Sequence, residues 1–170
     1  FLSPLANRRA DDCGGSQCQC VTRTPAPVFI GSVSSCAFGV ATNNPTGTWI
    51  TPAALEAFIA SVPPDVVVVL DEAYNEYLDP ADRADSVGWI AKYPNLLVSR
   101  SLSKAYGLAA LRIGYGVMHA DVADMLNRVR QPFNVNALAQ AAAIAALADD
   151  AYVDESRALN KRGLAQLYAG

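Results

Sequence analysis

The sequence predicts an α/β fold with a mainly parallel sheet and helices on both faces, in a three-layer αβα arrangement. Residues 66–70 form an unbroken apolar run rich in valine, as expected of a parallel strand that is covered on both sides. Such runs alternate along the chain with stretches whose apolar residues recur at helical spacing. This alternation is typical of an open sheet with helices packed against it.

The elements become readable from Thr42 onward. Thr51 is placed to cap a helix with Pro52 at its first position, and Asp121 is placed to cap a later helix that ends before Pro132. Strands are expected at residues 28–30, 36–40, 66–70, 96–98 and 113–118, the last three of them parallel, and further helices at residues 137–148 and 152–168.

Composition limits the classes of function. The chain has 170 residues, the size of one domain, and its 52% hydrophobic and 17% charged content fits a soluble α/β core. A net charge of −3 offers no basic surface for nucleic acid. No apolar stretch approaches the roughly 20 residues that span a bilayer. We therefore expect a cytoplasmic protein that binds neither nucleic acid nor membrane.

The chain has four cysteines, at positions 13, 18, 20 and 36, and one histidine, His119. The cysteine spacing does not form the paired C-x2-C arrangement of a zinc site, so we expect free thiols and no metal centre. A disulfide framework and a zinc module are the alternatives. His119 follows an apolar run and is expected in a surface turn.

Groups suited to one cofactor cluster in residues 101–112. Lys104 supplies a primary amine that can form a Schiff base with an aldehyde, and its small and apolar neighbours predict a desolvated side chain that loses its proton easily. The hydroxyls of Ser101 and Ser103 and the guanidinium of Arg112 suit a phosphate. An aldehyde and a phosphate on one small molecule describe pyridoxal phosphate.

Polar residues also follow the other strands. Asp71 and Tyr74 come just after the run at residues 66–70, and Asn44 lies in a turn sequence, Asn-Pro-Thr-Gly. Ligands of open α/β sheets bind beyond the carboxyl ends of the strands, so these side chains are expected at one rim. Taken singly, each has a plainer explanation: a turn at Asn44, a helix cap or magnesium ligand at Asp71, and a structural ion pair at Arg112.

The order of the motifs resembles the class I and II aminotransferases of fold type I, which depend on pyridoxal phosphate. The resemblance rests on Asn44-Pro45-Thr46-Gly47, Asp71-Glu72-Ala73-Tyr74, Ser101-Leu102-Ser103-Lys104 and Arg112-Ile113-Gly114. Longer stretches around these motifs, together with residues 130–136, are similar to the histidinol-phosphate aminotransferases within that family.

The resemblance implies a role for each residue. Lys104 would hold the cofactor covalently and, once freed, move a proton between the substrate α-carbon and the cofactor. Asp71 would pair with the pyridinium nitrogen, and Tyr74 and Asn44 would hydrogen-bond the ring 3′-oxygen. The cofactor phosphate would be bound by Ser101, Ser103 and Arg112. Lys104, Asp71 and Tyr74 are therefore the expected catalytic residues.

The resemblance also implies a domain organisation. Residues 42–149 would form the central part of the cofactor-binding large domain, and residues 150–170 would begin a helix that leads to a small domain. Residues 1–41 show no such resemblance and stay unassigned; a frameshift, a chimera or an assembly fault upstream of Thr42 would make them aberrant sequence. We expect a piece of a longer homodimeric enzyme, with little or no transaminase activity by itself.

The expected reaction is transamination of histidinol phosphate with 2-oxoglutarate, in histidine biosynthesis. An aromatic aminotransferase or a threonine-phosphate decarboxylase would share most of these motifs. The arginines that would separate these enzymes cannot be placed in the chain. A catalytically silent remnant that binds cofactor weakly is the alternative from another class.

Overall fold

The structure is a computed structural model that describes the backbone of residues 17–20 and 36–40, and the whole of Thr42 and residues 47–170. A bridge joins Thr42 to Trp49. The strand expected at residues 28–30 lies outside the described residues, and so do the cysteine side chains. Every element and contact given below belongs to these residues.

A five-stranded sheet forms the centre of the fold, with the strands in the order β1-β5-β4-β3-β2. The strands are β1 (Gln17–Cys20), β2 (Cys36–Val40), β3 (Val67–Asp71), β4 (Leu96–Ser101) and β5 (Gly114–Met118). The α-helices are α1 (Pro52–Ser61), α2 (Ala120–Val129), α3 (Ala137–Leu147) and α4 (Asp150–Ala169). Short 3-10 helices occupy Asn75–Tyr77, Pro80–Asp82, Gly88–Ala91 and Ala109–Leu111. None of the helices in the described part is long and apolar enough to cross a membrane.

The sheet is mixed rather than all parallel. Strands β3 and β4 are parallel neighbours, as predicted, and β2 is a further parallel neighbour of β3, but β5 runs antiparallel to both β4 and β1. The expectation of a third parallel strand at residues 113–118 is therefore wrong. A parallel return needs a crossover, usually an α-helix, whereas the segment between β4 and β5 holds only the 3-10 helix Ala109–Leu111. The two strands form a hairpin instead.

Helices pack on both faces of the sheet, which confirms the layered α/β architecture. Val98 of β4 belongs to a core cluster that includes Leu55 and Ile59 of α1. The adjacent Leu97 packs with Met118 and Val122 in a second cluster, which contains α2. Because successive side chains of a strand point to opposite faces, α1 and α2 cover opposite sides of the sheet.

A third core cluster lies beside the hairpin loop. It joins Leu102, Ala105 and Tyr106 to small residues of α3 and to Val153 of α4. The alanine-rich sequence of α3 allows this close approach, because Ala139 and Ala143 are fully buried there. This cluster anchors the loop that carries the candidate site.

The helix termini follow the sequence signals with one exception. Thr51 Oγ1 accepts a hydrogen bond from the Ala54 N–H at 3.4 Å, with Pro52 at the first helical position, as expected. Helix α2, however, begins at Ala120 and is capped by His119, whose Nδ1 accepts from the Asp121 N–H at 3.4 Å. His119 is therefore a helix cap, and Asp121 lies inside the first turn.

Candidate functional site

The β4–β5 hairpin brings Ser101 and Gly114 together as register partners. Its loop closes with the Leu102 N–H donating to the Ile113 carbonyl at 3.2 Å. Gly114 is required at this point, since a Cβ there would lie 2.7 Å from the Arg100 carbonyl oxygen. Four of the predicted site residues lie in or beside this one loop: Ser101, Ser103, Lys104 and Arg112.

The loop places the predicted phosphate-binding groups in contact. The Arg112 Nη1 donates to Ser103 Oγ at 3.4 Å and to the Ala109 carbonyl at 2.8 Å. Ser101 Oγ accepts from the Ser103 N–H at 3.1 Å. Arg112 has φ of 53°, a left-handed conformation that costs a non-glycine residue about 1–3 kcal/mol. Two hydroxyls and an exposed guanidinium therefore converge at the loop, held by a strained backbone.

Lys104 is exposed, so the expectation of a desolvated lysine is wrong for the described residues. Its neighbours Leu102, Ala105 and Tyr106 are the buried ones, since they pack against α3 and α4. The lysine side chain is left on the open side of the turn. Its Nζ lies 5.1 Å from the centroid of the Tyr74 ring, a cation–π distance.

The lysine turn is shaped by a glycine and by α4. The Gly107 N–H donates to the Lys104 carbonyl at 2.9 Å, and Gly107 has φ of 69°. A Cβ at position 107 would lie 2.7 Å from the Tyr152 hydroxyl oxygen. Glycine meets both demands, whereas alanine would be strained by the positive φ and would have to push the Tyr152 side chain aside.

Asp71 and Tyr74 reach the same edge from β3. Asp71 is the last residue of β3 and is half-buried, and its Oδ1 accepts from the Ala73 N–H at 3.0 Å. That hydrogen bond fixes the orientation of the carboxylate. Tyr74 precedes the 3-10 helix Asn75–Tyr77, and its ring centroid is 6.5 Å from that of Tyr77. The Tyr74–Lys104 contact joins the end of β3 to the hairpin loop.

Asn44 lies outside the described residues. Of the turn that contains it, the structure describes Gly47, whose φ of 68° is typical of a turn glycine. In the described part of the chain, no three His, Cys, Asp or Glu side chains are grouped to hold a metal ion.

Sequence reasoning did not find the ion pair beneath this edge. Arg100 donates to Glu72 Oε2 through Nε at 3.0 Å and through Nη2 at 2.8 Å. Glu72 is fully buried, and the Arg100 side chain is 17% exposed. The sequence did show an acidic residue, Glu72, next to Asp71 and a basic residue, Arg100, next to Ser101. Recognising it required the register of β3 against β4.

The buried charges shift one another's proton affinity. Burial alone would lower the pKa of Arg100, but Tyr115 and Glu72 outweigh it and raise that pKa, so the guanidinium stays charged. Burial raises the pKa of the Glu76 carboxyl, and Arg100 and Arg83 offset part of that effect. Arg83 is held by the carbonyl oxygens of Glu76 and Leu78, each 3.0 Å from its Nη2.

Known proteins share both the sequence and the fold. A histidinol-phosphate aminotransferase of Cupriavidus pinatubonensis is 65% identical over 125 residues, which make up 74% of this chain and 33% of that protein. Another, from Thiobacillus denitrificans, is 62% identical over 128 residues, or 75% of this chain and 33% of that protein. The chain thus spans a third of the length of these curated relatives.

Solved structures with a similar fold include a histidinol-phosphate aminotransferase and a decarboxylase. The histidinol-phosphate aminotransferase from Sinorhizobium meliloti, solved in complex with pyridoxal-5′-phosphate, aligns with a TM-score of 0.67 and 35% identity over 72% of this chain and 33% of its own. An L-threonine-O-3-phosphate decarboxylase from Porphyromonas gingivalis aligns with a TM-score of 0.63 and 28% identity, over 74% of this chain and 40% of its own.

The family profile described as aminotransferase class I and II matches residues 40–170. Since that match covers most of the chain and includes the β3 edge and the whole hairpin loop, the chain belongs to the class I and II aminotransferases.

Proposed function

We propose that the chain carries the pyridoxal-phosphate-binding part of an aminotransferase, in which Lys104 holds the cofactor. The observation that carries the proposal is the placement of Lys104 Nζ 5.1 Å from the Tyr74 ring, beside the Arg112–Ser103 contact. An amine, an aromatic ring and phosphate-binding donors thus meet at one edge of the sheet.

The chemistry of these residues fits pyridoxal phosphate. A phosphate is best bound by a guanidinium and by hydroxyl or amide donors, and Arg112, Ser101 and Ser103 supply them from one loop. The aldehyde requires an accessible primary amine, and Lys104 is exposed on the same loop. The ring nitrogen requires a carboxylate, and Asp71 ends the neighbouring strand.

Each residue has a defined task in the proposed reaction. Bound pyridoxal phosphate supplies an aldehyde that takes up the substrate amino group and a ring that draws electrons from the substrate α-carbon. Lys104 Nζ moves a proton at that α-carbon as a general base and acid. Asp71 keeps a proton on the ring nitrogen through its carboxylate, which the Ala73 N–H orients. Tyr74 and Asn44 hydrogen-bond the ring hydroxyl.

The proposed substrate pair is histidinol phosphate and 2-oxoglutarate. This choice is supported by the names of the relatives that are 65% and 62% identical to this chain. Decarboxylation of threonine phosphate is a weaker candidate, because the solved threonine-phosphate decarboxylase is 28% identical to this chain over the aligned part. Histidinol phosphate and threonine phosphate both carry a phosphate and an amine.

The proposal extends to the organisation of the whole protein. Residues 42–149 form the central part of the cofactor-binding large domain, and residues 150–170 begin the helix towards a small domain. The complete enzyme is a homodimer in the cytoplasm. The length of the curated relatives, of which this chain spans a third, supports a larger functional unit.

Borohydride capture tests the role of Lys104. The purified chain is mixed with pyridoxal phosphate and reduced, and the modified lysine is mapped by peptide mass spectrometry. Label should appear on Lys104 and disappear in Lys104→Ala. The controls are Lys92 and Lys161, which are also exposed but are paired with Glu56 and Asp79 away from the loop. No label, or label equal on all three lysines, would sink the proposal and favour a silent remnant.

A further inference from the structure

We propose that the buried Glu72–Arg100 ion pair is a positioning device that fixes Asp71 relative to the loop carrying Ser101 and Lys104. The inference rests on the proposed function, since it requires Asp71 and Lys104 to contact the same cofactor. It assigns a role in cofactor binding to two residues that do not touch the cofactor themselves.

The ion pair joins the two strands where the site residues leave the sheet. Asp71 and Ser99 are register partners of the parallel strands β3 and β4, and the Glu72 N–H donates to the Ser99 carbonyl at 2.9 Å. Glu72 directly follows Asp71, and Arg100 directly precedes Ser101. A change in the separation of the two charged side chains therefore moves one site segment relative to the other.

Stability is a poor explanation for this pair. Removing two charges from water costs several kcal/mol per ion, and apolar residues of similar volume are often as stable or more so. Both Arg100 donors contact a single oxygen of Glu72, and Oε1 has no hydrogen-bond partner within the described residues. Hydrogen bonds are directional, whereas apolar contacts are not. The two hydrogen bonds of this pair therefore fix the orientation of both side chains and of the strand ends that carry them.

The pair differs from the other described ion pairs. Each of those has at least one partner whose side chain is more than half exposed, as in Lys92–Glu56 with Lys92 64% exposed and Lys161–Asp79 with Lys161 73% exposed. Among the described residues, the buried ion pair thus lies directly beside the candidate site residues Asp71 and Ser101. The other ion pairs of the described residues lie on the surface, where they constrain the backbone little.

The test separates positioning from stability with an apolar replacement. The double variant Glu72→Met/Arg100→Met keeps the volume and removes the directional bonds, and Glu56→Met/Lys92→Met is the control pair away from the site. Thermal unfolding is followed for each variant. Binding is followed by borohydride capture at Lys104, with pyridoxal phosphate and with an analogue in which a CH group replaces the ring nitrogen. The preference for the nitrogen-containing ligand reports the placement of Asp71.

We expect the site double variant to unfold at or above the wild-type temperature, to bind pyridoxal phosphate about tenfold more weakly, and to lose its preference over the analogue. The control double variant should keep the wild-type affinity for pyridoxal phosphate and the wild-type preference over the analogue. Wild-type affinity and preference in the site variant would overturn the inference, and so would its failure to fold, because the pair would then be needed for stability. A wild-type chain that is not labelled at Lys104 would instead contradict the proposed function, and the inference with it.

Discussion

At the scale of single residues, both the backbone and the side chain of Arg112 are fixed beside the candidate site. Its backbone is left-handed, with φ of 53°, and its guanidinium donates to Ser103 and to the Ala109 carbonyl. The strained backbone turns the side chain back over the loop that carries Lys104. Backbone strain of this kind clusters at ligand-binding sites, and it favours a binding role for the guanidinium.

Replacing Arg112 should therefore weaken binding of a phosphate-bearing ligand selectively. A charge-assisted hydrogen bond contributes about 1.5–3 kcal/mol, so Arg112→Gln should reduce the affinity for pyridoxal phosphate roughly ten- to hundredfold. Pyridoxal, which lacks the phosphate, should be captured by Lys104 as well as before. The control is Arg128→Gln, which removes an exposed ion pair with Asp124 on α2. Equal loss for both ligands would contradict a phosphate-binding role of Arg112.

Position 107, in the turn that carries Lys104, requires glycine because of its backbone conformation and its closeness to Tyr152 of α4. Gly107→Ala should destabilise the chain by about 1–3 kcal/mol, because it combines an unfavourable positive φ with a Cβ that meets the Tyr152 hydroxyl oxygen at 2.7 Å. Urea unfolding followed by circular dichroism measures the change. Gly163→Ala is the matched control, because Gly163 lies within α4 with nothing within 4 Å of the added Cβ. Alanine there should stabilise by about 0.5–1 kcal/mol.

The elements that local sequence controls were the ones that could be predicted. The Thr51–Pro52 helix start and the β-branched strand before Asp71 both depend on neighbouring residues, and both are confirmed. The direction of β5 could not be read from its own sequence, since an apolar strand has the same pattern in either direction. The cap of α2 was misplaced because Asp121 outranks His119 on preference alone.

For the candidate site, the proximity of residues close in the chain could be predicted from the sequence, whereas features that depend on strand register could not. Ser101, Ser103, Lys104 and Arg112 share one loop, so their proximity follows from chain order. The exposure of Lys104 and the Glu72–Arg100 pair depend on what packs behind the loop and across two strands. No local pattern carries that information.

At the scale of the whole molecule, Glu76 should give stability a distinct pH dependence. Its folded pKa is raised by burial above the ordinary value of 4.5, so the folded state holds this proton more tightly than the unfolded chain. Stability is therefore unaffected by this group below about pH 4.5 and falls as the pH rises towards the folded pKa. Glu76→Gln should remove that fall, as measured by urea unfolding across pH.

Glu56 provides the control of opposite sign. The hydrogen bond from Lys92 lowers the pKa of Glu56, so its contribution is present above pH 4.5 and is lost as the pH falls through the folded value. Glu56→Gln should therefore have a lower free energy of unfolding than the wild type at neutral pH. At acidic pH the two should be equally stable. A Glu76 variant that behaved like the Glu56 variant would show that Arg100 and Arg83, rather than burial, dominate at Glu76.

The isolated chain should catalyse little or no transamination. Lys104 is exposed in the described structure, so water is not excluded from its amine, and the chain spans a third of its curated relatives. With histidinol phosphate and 2-oxoglutarate, we expect no turnover above that of Lys104→Ala, while the wild type still captures pyridoxal phosphate. Glutamate formation that requires Lys104 would show that the described edge suffices for the reaction.

The hairpin between β4 and β5 has a consequence for the order of folding. Ser101 and Gly114 close a short loop, and the entropy lost on closure grows with loop length, so β4 and β5 can pair through local contacts before α3 and α4 pack against the loop. Asp71 joins the hairpin only when β3 pairs with β4 across the longer intervening segment. Contacts of low sequence separation form fastest. Amide protons of β5 should thus gain protection in refolding before those of β3, and the hairpin that carries Lys104 would form before Asp71 joins it.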